Sequence, residues 1–549
     1  MKKGISLIFL FAFVFVLSCT DETTVFVDED QANLVLETDP ILLKGSLNFE
    51  NSGVLEIYEE QLNSNKRVST AQADIAGDYP ITLVAQVDPP SYGGSTFLTA
   101  SHVHVDGDYA YVAYNVAGED YFGAIDIVDI ADPNNPAVTS RLLYTNADIN
   151  SLQYSDGYVY AVGGVDAAQS FNATSNSFIA KIEVNAGVMN VSSGILYGYQ
   201  PGDNATDVHI DGNEAYVTSG KDGSITIYDT KDFDVKKQEL FSDLRSLAFF
   251  NNRVALLDAT MGIRILDDKL KTKKEIPISS DFGLYTKRTI DFVDDKIVVA
   301  EGSNGVGVYS YSSGNRLQYL PISIDPNRAP SGDIVNNAVA INKDIIMMAN
   351  GGAGLSLNED RGADAQPYGV IQIDGSINYV QTRGDYVFAA SGQQGLQIIK
   401  LNRLSQSLTT TCSTLPDYSG TSKLVINEGE DIGFKGAKRF NSIQVSGSLL
   451  ICGSWTVIND VDIKKDTGLL EMNGTLVVGR NKKRKEIKIE EGGVLRIEGN
   501  LTIYGDLDLK DGSTIEFIGT DSVVNITGDV KIGNNVTIAG EFEDVQNKF

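Results

Sequence analysis

Reactive and metal-binding side chains are scarce in this sequence. Its 549 residues include three histidines, three cysteines and one tryptophan. The sequence has no G-x-S-x-G elbow, no H-E-x-x-H pair and no phosphate-binding loop, so the common motifs of serine hydrolases, zinc peptidases and nucleotide-binding proteins are missing. We therefore predict a protein that is not an enzyme, with no catalytic residues and no cofactor.

The few histidines do not form a recognisable metal-binding set. His102 and His104 are two residues apart, so on a β-strand they share one face and could hold a metal together. His209 falls at the same repeat position as His104, which is typical of a structural residue. Because no cluster of Cys or His completes a zinc ligand set, we predict no metal.

Positive charge is also in short supply. The chain has 44 Lys and Arg against 73 Asp and Glu, which gives a formal net charge of −29. Such a chain repels phosphate backbones, so we exclude nucleic acid as a partner. One basic run, Arg480–Lys485, stands out. It is either a contact for lipid phosphate or an acidic partner, or a solvated turn.

The chain begins with an apolar run, Gly4–Leu17. The run follows two lysines and is shorter than the ~20 residues of a membrane span, as in a signal peptide. Val16-Leu17-Ser18-Cys19 resembles the bacterial lipobox. The resemblance implies that residues 1–18 are a lipoprotein signal peptide and that Cys19 carries a diacylglyceryl group and an acyl chain such as palmitate. An ordinary signal peptide with a chance cysteine is the alternative.

Acidic residues follow at Thr20-Asp21-Glu22 and Asp28-Glu29-Asp30. This is similar to the tag that exports lipoproteins to the outer leaflet in one large group of Gram-negative bacteria. The resemblance implies an outer-membrane protein facing the cell exterior, with residues 19–40 as an acidic tether and residues 41–80 as a connecting segment. A plain solvated tether is the alternative.

A nine-residue pattern of strand, two-residue turn and strand recurs along the chain, as in β-hairpins. The copies begin at His104, Tyr154, His209, Phe249, Phe292, Ala340 and Gln381. A third strand follows each copy, at Gly123–Ile130, Ser177–Val184, Gly223–Thr230, Met261–Asp268, Gly305–Ser312, Gly369–Ser376 and Gly395–Asn402. Most units add a fourth strand. Units of this size, 40 to 55 residues apart, predict a β-propeller of seven blades.

The ends of the repeat region suggest how the ring closes. The last unit stops at its third strand, near Leu401, and Ile81–Val87 before the first unit has the pattern of an orphan fourth strand. We predict that this strand completes blade seven. Residues 81–404 then form a closed ring without a free sheet edge.

The first blade points to a family. Ile125–Pro136 (IDIVDIADPNNP) resembles the LVIVD repeat, a propeller family of surface and secreted proteins. Ile225–Asp229 and Ile263–Asp267 keep the strand and its Asp, whereas later blades lose the Asp. Trp455, the single tryptophan, lies outside the repeats, which argues against WD-type blades. The resemblance implies a fold more than an activity, because the family has no common catalytic set.

From about Thr421 onwards the sequence has a different repeat pattern. Short apolar strands alternate with turn residues at Gly447, Thr467, Gly492, Gly512 and Asn534, which are spaced 20, 25, 20 and 22 apart. This predicts a parallel β-solenoid over residues 405–549, with one coil per repeat. A second small β-sandwich is the alternative. In either case the whole chain is all-β.

The two remaining cysteines form a candidate pair. With Cys19 lipidated, Cys412 and Cys452 are left. Secreted chains meet oxidising conditions, so we expect a disulfide that fastens the segment after the propeller onto the solenoid. Two free buried thiols are the alternative.

Aromatic residues cluster in the long insertions of the predicted propeller. The loops between second and third strands share one face with the blade-to-blade connections, and the insertions fall on that face in blades one, two and six. They carry Tyr114, Tyr121, Phe122, Phe171, Tyr197, Tyr199 and Tyr368. Aromatics on exposed loops suit protein contacts or sugar stacking. Packing of the loops against each other is the alternative.

Three functions fit these features. The first is a non-catalytic accessory subunit that docks onto an outer-membrane protein or complex. The second is a surface lipoprotein that binds polysaccharide. The third is a cryptic hydrolase or lyase that uses carboxylates in the propeller funnel, a possibility that one sequence leaves open.

Overall fold

The computed structural model describes residues 33–549 except 60–80, 93–95, 117, 119, 171, 251–252, 268, 284–287, 294, 327–329, 331–332, 343–344, 361–364, 372 and 402–409. The signal peptide, Cys19 and most of the acidic tether lie outside this range. Among the described residues, no helix has both the length and the apolar character needed to span a bilayer.

The N-terminal segment contributes four short strands and one helix. They are β1 (Leu34–Glu37), α1 (Pro40–Lys44), β2 (Leu47–Asn48), β3 (Gly53–Val54) and β4 (Ile57–Glu59). The strand β5 (Ile81–Val87) and the small hairpin of β6 (Ser91–Tyr92) and β7 (Thr96–Phe97) follow.

The described part of the chain then forms seven antiparallel blades. Blades one to three contain β8 (Thr99–Asp106), β9 (Tyr109–Asn115), β10 (Gly123–Asp129), β11 (Ala137–Tyr144), β12 (Ala147–Ser155), β13 (Tyr158–Val165), β14 (Ser177–Asn185), β15 (Val188–Asn190), β16 (Leu196–Gln200), β17 (Ala205–Asp211), β18 (Glu214–Ser219), β19 (Lys221–Asp229) and the first half of β20 (Val235–Phe250). The second half of β20 is the inner strand of blade four.

Blades four to seven complete the ring. They contain β21 (Arg253–Asp258), β22 (Gly262–Leu266), β23 (Thr272–Pro277), β24 (Ile290–Val293), β25 (Lys296–Ala300), β26 (Val306–Ser310), β27 (Arg316–Leu320), β28 (Ile334–Asn342), β29 (Ile345–Gly351), β30 (Leu355–Asp360), β31 (Ala365–Ile371), β32 (Tyr379–Arg383), β33 (Tyr386–Ala390) and β34 (Leu396–Leu401). The all-β fold and the seven-bladed propeller are confirmed.

In the four predicted hairpins whose turns the structure fully describes, a glycine adopts a left-handed backbone. Gly107 and Gly212 adopt φ values of 52° and 57° in the turns β8–β9 and β17–β18, as tight hairpin turns require. The strands on either side bury alternating aliphatic side chains between neighbouring blades.

The strand before the first blade closes the ring as predicted. β5 pairs antiparallel with β34, with Ala85 opposite Ile398 and Val87 opposite Leu396. Every residue of β5 is buried. The first and last parts of the propeller therefore share one sheet.

One strand prediction is wrong. The third strand of blade six is β30 rather than Gly369–Ser376, and Gly369 lies in β31, the outer strand. The error arose because β30 buries polar residues that do not look like strand interior. Ser356 accepts a hydrogen bond from Asn350, and Asn358 donates one to the carbonyl of Ile346.

The N-terminal strands lie along the rim of the propeller. β1 pairs with β11 of blade one, β2 and β3 pair with β5 of blade seven, and β4 pairs with β31 of blade six. Residues 34–37 of the predicted tether and residues 47–59 of the predicted connecting segment thus supply rim strands, so neither assignment holds over these residues. The outer strand of blade three, β20, has exposed Lys236 and Lys237, and lysines on a sheet edge oppose association with other edges.

A parallel β-solenoid follows the short helix α2 (Thr410–Ser413). It consists of β35 (Lys423–Ile426), β36 (Asp431–Phe440), β37 (Ser442–Val445), β38 (Ser448–Val457), β39 (Val461–Ile463), β40 (Leu469–Gly479), a 3-10 turn (Asn481–Lys483), β41 (Lys485–Ile489), β42 (Val494–Leu509), β43 (Thr514–Phe517), β44 (Ser522–Ile526), β45 (Val530–Ile532), β46 (Thr537–Ala539) and β47 (Phe542–Asp544). Its strands pair in parallel, so the solenoid is confirmed and the β-sandwich alternative is wrong.

The coils stack residue on residue. Leu449, Leu470, Leu495 and Ile515 occupy one register position in successive coils and are fully buried. Burying each such side chain contributes roughly 1.5–3 kcal/mol. This ladder is the core of the solenoid.

Candidate functional site

The inner strands surround the propeller axis, and their polar side chains link each blade to the next. Near the end of each inner strand on the side of the long loops, one side chain reaches across the blade boundary. The seven bonds are Ser101 Oγ to Ile149 O (2.8 Å), Asn150 Nδ2 to Ala205 O (3.0 Å), Thr206 Oγ1 to Leu244 O (3.1 Å), Arg245 Nη2 to Gly283 O (2.8 Å), Arg288 Nη1 to Asn337 Oδ1 (2.6 Å), Asn337 Nδ2 to Ile377 O (2.9 Å) and Asn378 Nδ2 to Ala100 O (2.8 Å). The last bond closes the circle.

Further along the inner strands, away from the long loops, other side chains also form hydrogen bonds across the blade boundaries. Asp207 accepts a hydrogen bond from the backbone N–H of Leu247 at 3.2 Å, and Ser246 accepts one from Ile290 at 2.9 Å. One step further down, Gln153 accepts from Ile210 at 2.9 Å and Gln381 accepts from Val105 at 2.7 Å. The axis is therefore lined by side chains that hold neighbouring blades in register.

Two carboxylates and a tyrosine come together on this axis. Desolvation by the surrounding strands, with a smaller contribution from the charge of Asp207, raises the pKa of Asp291 to about 6, although Asp291 remains exposed to solvent on the axis. Burial, followed by the charges of Asp207 and Asp291, raises the pKa of Tyr379. The N–H of Phe292 donates to Asp291 at 2.7 Å. The chain's own backbone donors thus stabilise the carboxylates in this site.

The three histidines lie on inner strands, and the charge of His209 acts on His104. His102 packs at a tilt against Tyr379, with ring centres 4.0 Å apart, and accepts a hydrogen bond from the N–H of Leu152. His209 stacks on Phe249 at 4.1 Å. Burial lowers the pKa of His104 to about 4. In the described part of the chain, no group of three or more potential ligands could hold a metal.

The loops of blades one and two, residues 116–122 and 166–176, stand on the predicted face, which we call the loop face. Tyr121 and Phe122 lie in the first loop and are half-buried. The loop folds over Asp148, which accepts a hydrogen bond from the N–H of Val116 at 3.2 Å. Burial raises the pKa of Asp148 to about 7. Burial and the charges of Asp148, Asp166 and Asp203 raise the pKa of Tyr121.

Four other predicted loop aromatics lie in strands, so their assignment to exposed loops is wrong. Tyr114 is fully buried in β9, and its hydroxyl bonds to Asp126 at 3.1 Å. Tyr197 and Tyr199 belong to β16, the outer strand of blade two, and Tyr368 belongs to β31. All three are half-buried in the cores between blades. Phe171 lies outside the described residues.

The aromatic side chains near the loops of blade two do not form a platform. Tyr144, Phe178, Tyr197 and Tyr199 surround a cleft of about 30 Å³. A space of this size holds about two water molecules, and a sugar ring does not fit. These residues pack against one another, as the alternative interpretation stated.

The basic run contacts another part of the chain. The N–H of Asn481 donates to the carbonyl of Ser52 at 2.6 Å, and its side chain donates to the carbonyl of Phe49 at 2.7 Å. Arg480 forms an ion pair with Glu56 at 2.7 Å. The run therefore fastens the solenoid to the N-terminal segment and, through β3, to blade seven. Sequence spacing gives no signal of this contact, because its partners are more than 400 residues apart in the chain.

Cys412 of α2 and Cys452 of β38 are joined in a disulfide, with Cα atoms 5.6 Å apart. The bond ties the start of the C-terminal region to β38. Nearby, Phe440 stacks on Trp455 with ring centres 5.5 Å apart, and Tyr418 packs edge-on against Phe440. The first coils are thereby closed by a buried aromatic group.

No family model matches the chain, and no curated protein matches its sequence. Among solved structures, the RRP9 WD40 repeats are 13% identical with a TM-score of 0.42, covering 63% of this chain and 100% of that one. The structure of U3-55K is 13% identical with a TM-score of 0.42, covering 58% and 98%. The WD40 β-propeller domain of Doa1 is 11% identical with a TM-score of 0.42, covering 60% and 97%. The propeller assignment rests on the strand pairing described above.

Proposed function

We propose that this chain is a lipid-anchored surface protein of an outer membrane and acts as a non-catalytic accessory subunit. It docks onto another outer-membrane protein or complex through the loop face. In this proposal Cys19 carries the lipid, the residues that follow form the exported tether, and the propeller is of the LVIVD type that Ile125–Pro136 resembles.

The position of Asn33, the first residue that the structure describes, supports this function. Asn33 lies at the loop face, where its carbonyl accepts the N–H of Thr145 at 3.0 Å. Asn33 and Ser170, a residue of the blade-two loop, line the same cleft. At about 3.5 Å per residue, the chain from Cys19 to Asn33 spans at most about 50 Å. An anchor at Cys19 therefore keeps the loop face close to the membrane that holds the partner.

The side-chain hydrogen bonds that join neighbouring blades around the propeller axis suit this role. Because each blade is fastened to the next by side-chain hydrogen bonds, the strands that support the loops are held in place before a partner arrives. A preorganised surface loses less conformational entropy on binding. The loops of blades one and two can then vary while the scaffold stays fixed.

The other two hypotheses have different support. The tightly packed aromatics of blade two do not favour polysaccharide binding at that position. Asp291, beside Asp207, is the observation that favours a carboxylate-dependent hydrolase, because perturbed carboxyls gather at active sites. Replacing Asp291 by Asn should leave partner binding unchanged if the accessory role is correct.

The test is recovery of the protein from native membranes by gentle detergent extraction, with two matched double variants. Asp120→Arg with Gln169→Arg changes exposed positions of the loop face, and Asp211→Arg with Asn213→Arg changes exposed positions of a turn on the opposite face. Both pairs add the same charge. We expect a membrane protein to copurify in a fixed ratio with the parent and the second variant, and to be lost from the first.

Recovery of the parent protein alone would contradict a stable complex. Equal retention of the partner by both variants would place the contact elsewhere. Anchoring is tested separately: Cys19→Ser should abolish incorporation of a labelled palmitate analogue, and incorporation that persists would exclude this lipid site.

A further inference from the structure

A pocket lies where the N-terminal segment, blade seven and the solenoid meet. Its volume is about 340 Å³, which is within the range of small-molecule sites. Residues from all three parts form its walls, so the pocket exists only because the basic run fastens the solenoid to the propeller. Nothing in the accessory role described above uses it.

One wall of the pocket is cationic. Arg480 is paired with Glu56 at 2.7 Å. Lys482 and Lys483 also line the pocket, are exposed, and have no carboxylate partner among the described residues. Glu56 and Asp374 also line the pocket, so three cationic side chains stand against two carboxylates in a chain of net charge −29. The remaining positive charge favours a ligand with one negative group.

A buried amide, that of Gln397, also lines the pocket. Gln397 is 1% exposed, and its Nε2 donates to the carbonyl of Asp374 at 3.0 Å. Its Oε1 is buried and has no hydrogen-bond partner among the residues that the structure describes. An unsatisfied buried acceptor is unfavourable, so a hydrogen-bond donor from a ligand would be favourable here after a small adjustment of the Gln397 side chain.

The remaining wall is apolar. Leu55, Leu83 and Ile373 line the pocket and are otherwise buried, at 8%, 3% and 3% exposure. An apolar wall facing a cationic one accommodates a molecule with a C–H face and a charged edge. A bare inorganic anion would use only the lysines.

We propose that this pocket binds an acidic sugar of one or two rings. The carboxylate of the uronic acid pairs with Lys482 and Lys483, a hydroxyl donates to Oε1 of Gln397, and the C–H face of the ring packs on Leu55 and Ile373. The site is independent of the partner docked at the loop face, so either assignment can fail without the other.

The test is calorimetric titration of the full mature chain in detergent with digalacturonate, with neutral digalactose, and with inorganic phosphate. We expect digalacturonate to bind with a dissociation constant below about 1 mM and digalactose to bind at least tenfold more weakly. Lys482→Gln with Lys483→Gln should weaken digalacturonate binding tenfold or more. Lys465→Gln with Lys531→Gln removes the same charge from exposed solenoid positions outside the pocket and should have no effect.

Three results would overturn the proposal. Equal binding of the neutral and acidic sugars would remove the role of the lysines. Displacement of digalacturonate by an equal concentration of phosphate would indicate a site for any anion. Failure of the parent protein to bind digalacturonate with a dissociation constant below about 1 mM would exclude an acidic-sugar site.

Discussion

His104 lies on the inner strand of blade one opposite Tyr111, as Gln153 lies opposite Tyr160 in blade two and Gln381 opposite Phe388 in blade seven. The three residues therefore share one position, and the sequence-based alignment of Tyr154 with His104 is wrong by one residue. The pKa of His104 is lowered to about 4 by burial, below the ordinary value of about 6.5. The unfolded chain therefore binds more protons than the folded chain between these values. Stability rises with pH across this window and is lost as the pH falls.

We expect His104→Gln to remove part of this acid sensitivity, because the repeat already uses Gln at the same position. The variant should match the parent at pH 7.5 and exceed its unfolding free energy by about 1–3 kcal/mol at pH 4. Urea unfolding at the two pH values measures the difference. An identical pH dependence in both proteins would show that His104 is solvated.

Asp148 has the opposite effect on the pH dependence of folding stability. Its pKa is raised to about 7 by burial, so the folded chain binds more protons than the unfolded chain between about pH 4 and pH 7. This contribution to stability is present at low pH and is lost as the pH rises through 7.

Asp148→Asn keeps an acceptor for the loop but removes the buried charge. Relative to the parent, we expect the variant to gain about 1–3 kcal/mol between pH 5 and pH 8. Thermal unfolding at both pH values provides the measurement. A parent protein whose stability does not fall relative to the variant would contradict the assigned burial of this carboxyl.

Residue-level predictions from the sequence succeeded where a side chain belongs to a repeat and failed where burial decides. The repeat position shared by His104 and His209 is confirmed, because they lie opposite Tyr111 and Tyr216 in equivalent hairpins. Tyr114 was assigned to an exposed loop, yet it lies inside blade one on Asp126. Nothing in the local sequence distinguishes a strand-end tyrosine that turns inward from one that turns outward.

A stack of glycines bends successive coils at the element scale. Gly436, Gly453, Gly474 and Gly499 occupy one register position, and each has a positive φ of 120° or more. A Cβ on Gly474 would lie 2.2 Å from the carbonyl oxygen of Gly453. Only glycine allows the coils to stack at their normal spacing through this corner.

We expect Gly474→Ala to lower the unfolding free energy by about 3 kcal/mol or more, because the backbone strain adds to a steric clash. Gly512→Ala is the matched control. Gly512 also has a positive φ, of 69°, but a Cβ there would meet nothing within 4 Å. We expect the control to cost only about 1–2 kcal/mol. Chemical unfolding followed by Trp455 fluorescence compares them, and equal losses would contradict the close stacking.

Strand predictions were reliable where apolar alternation and turn residues agreed. The inner hairpins, the closing strand Ile81–Val87 and the coil repeat all met this condition. Blade six did not, because β30 buries Ser356 and Asn358, whose hydrogen-bond partners Asn350 and Ile346 belong to the neighbouring strand β29. The rim strands β1 to β4 are too short for a period to be visible.

The whole molecule is held together by contacts distant in sequence. Asn481 bonds to Phe49 and Ser52, and Arg480 pairs with Glu56. Val54 and Tyr504 share a small buried cluster. The disulfide does not cross this junction, since both cysteines follow residue 409. The N-terminal segment is therefore the main bridge between propeller and solenoid.

If a protease site is introduced within residues 402–409 and cleaved, we expect the two fragments to elute together in gel filtration under native conditions. Asn481→Ala combined with Arg480→Ala should shift the equilibrium towards separate fragments. Immediate separation of the fragments without these substitutions would contradict the junction.

The proposed role of the loop face is tested most directly by site-specific photo-crosslinking in intact cells. A photoreactive amino acid is placed at position 169 on the loop face, or at position 213 in the opposite turn. We expect a discrete adduct with one outer-membrane protein from position 169 and none from position 213. Adducts from position 213 alone, or none from position 169 at full surface expression, would contradict docking through the loop face.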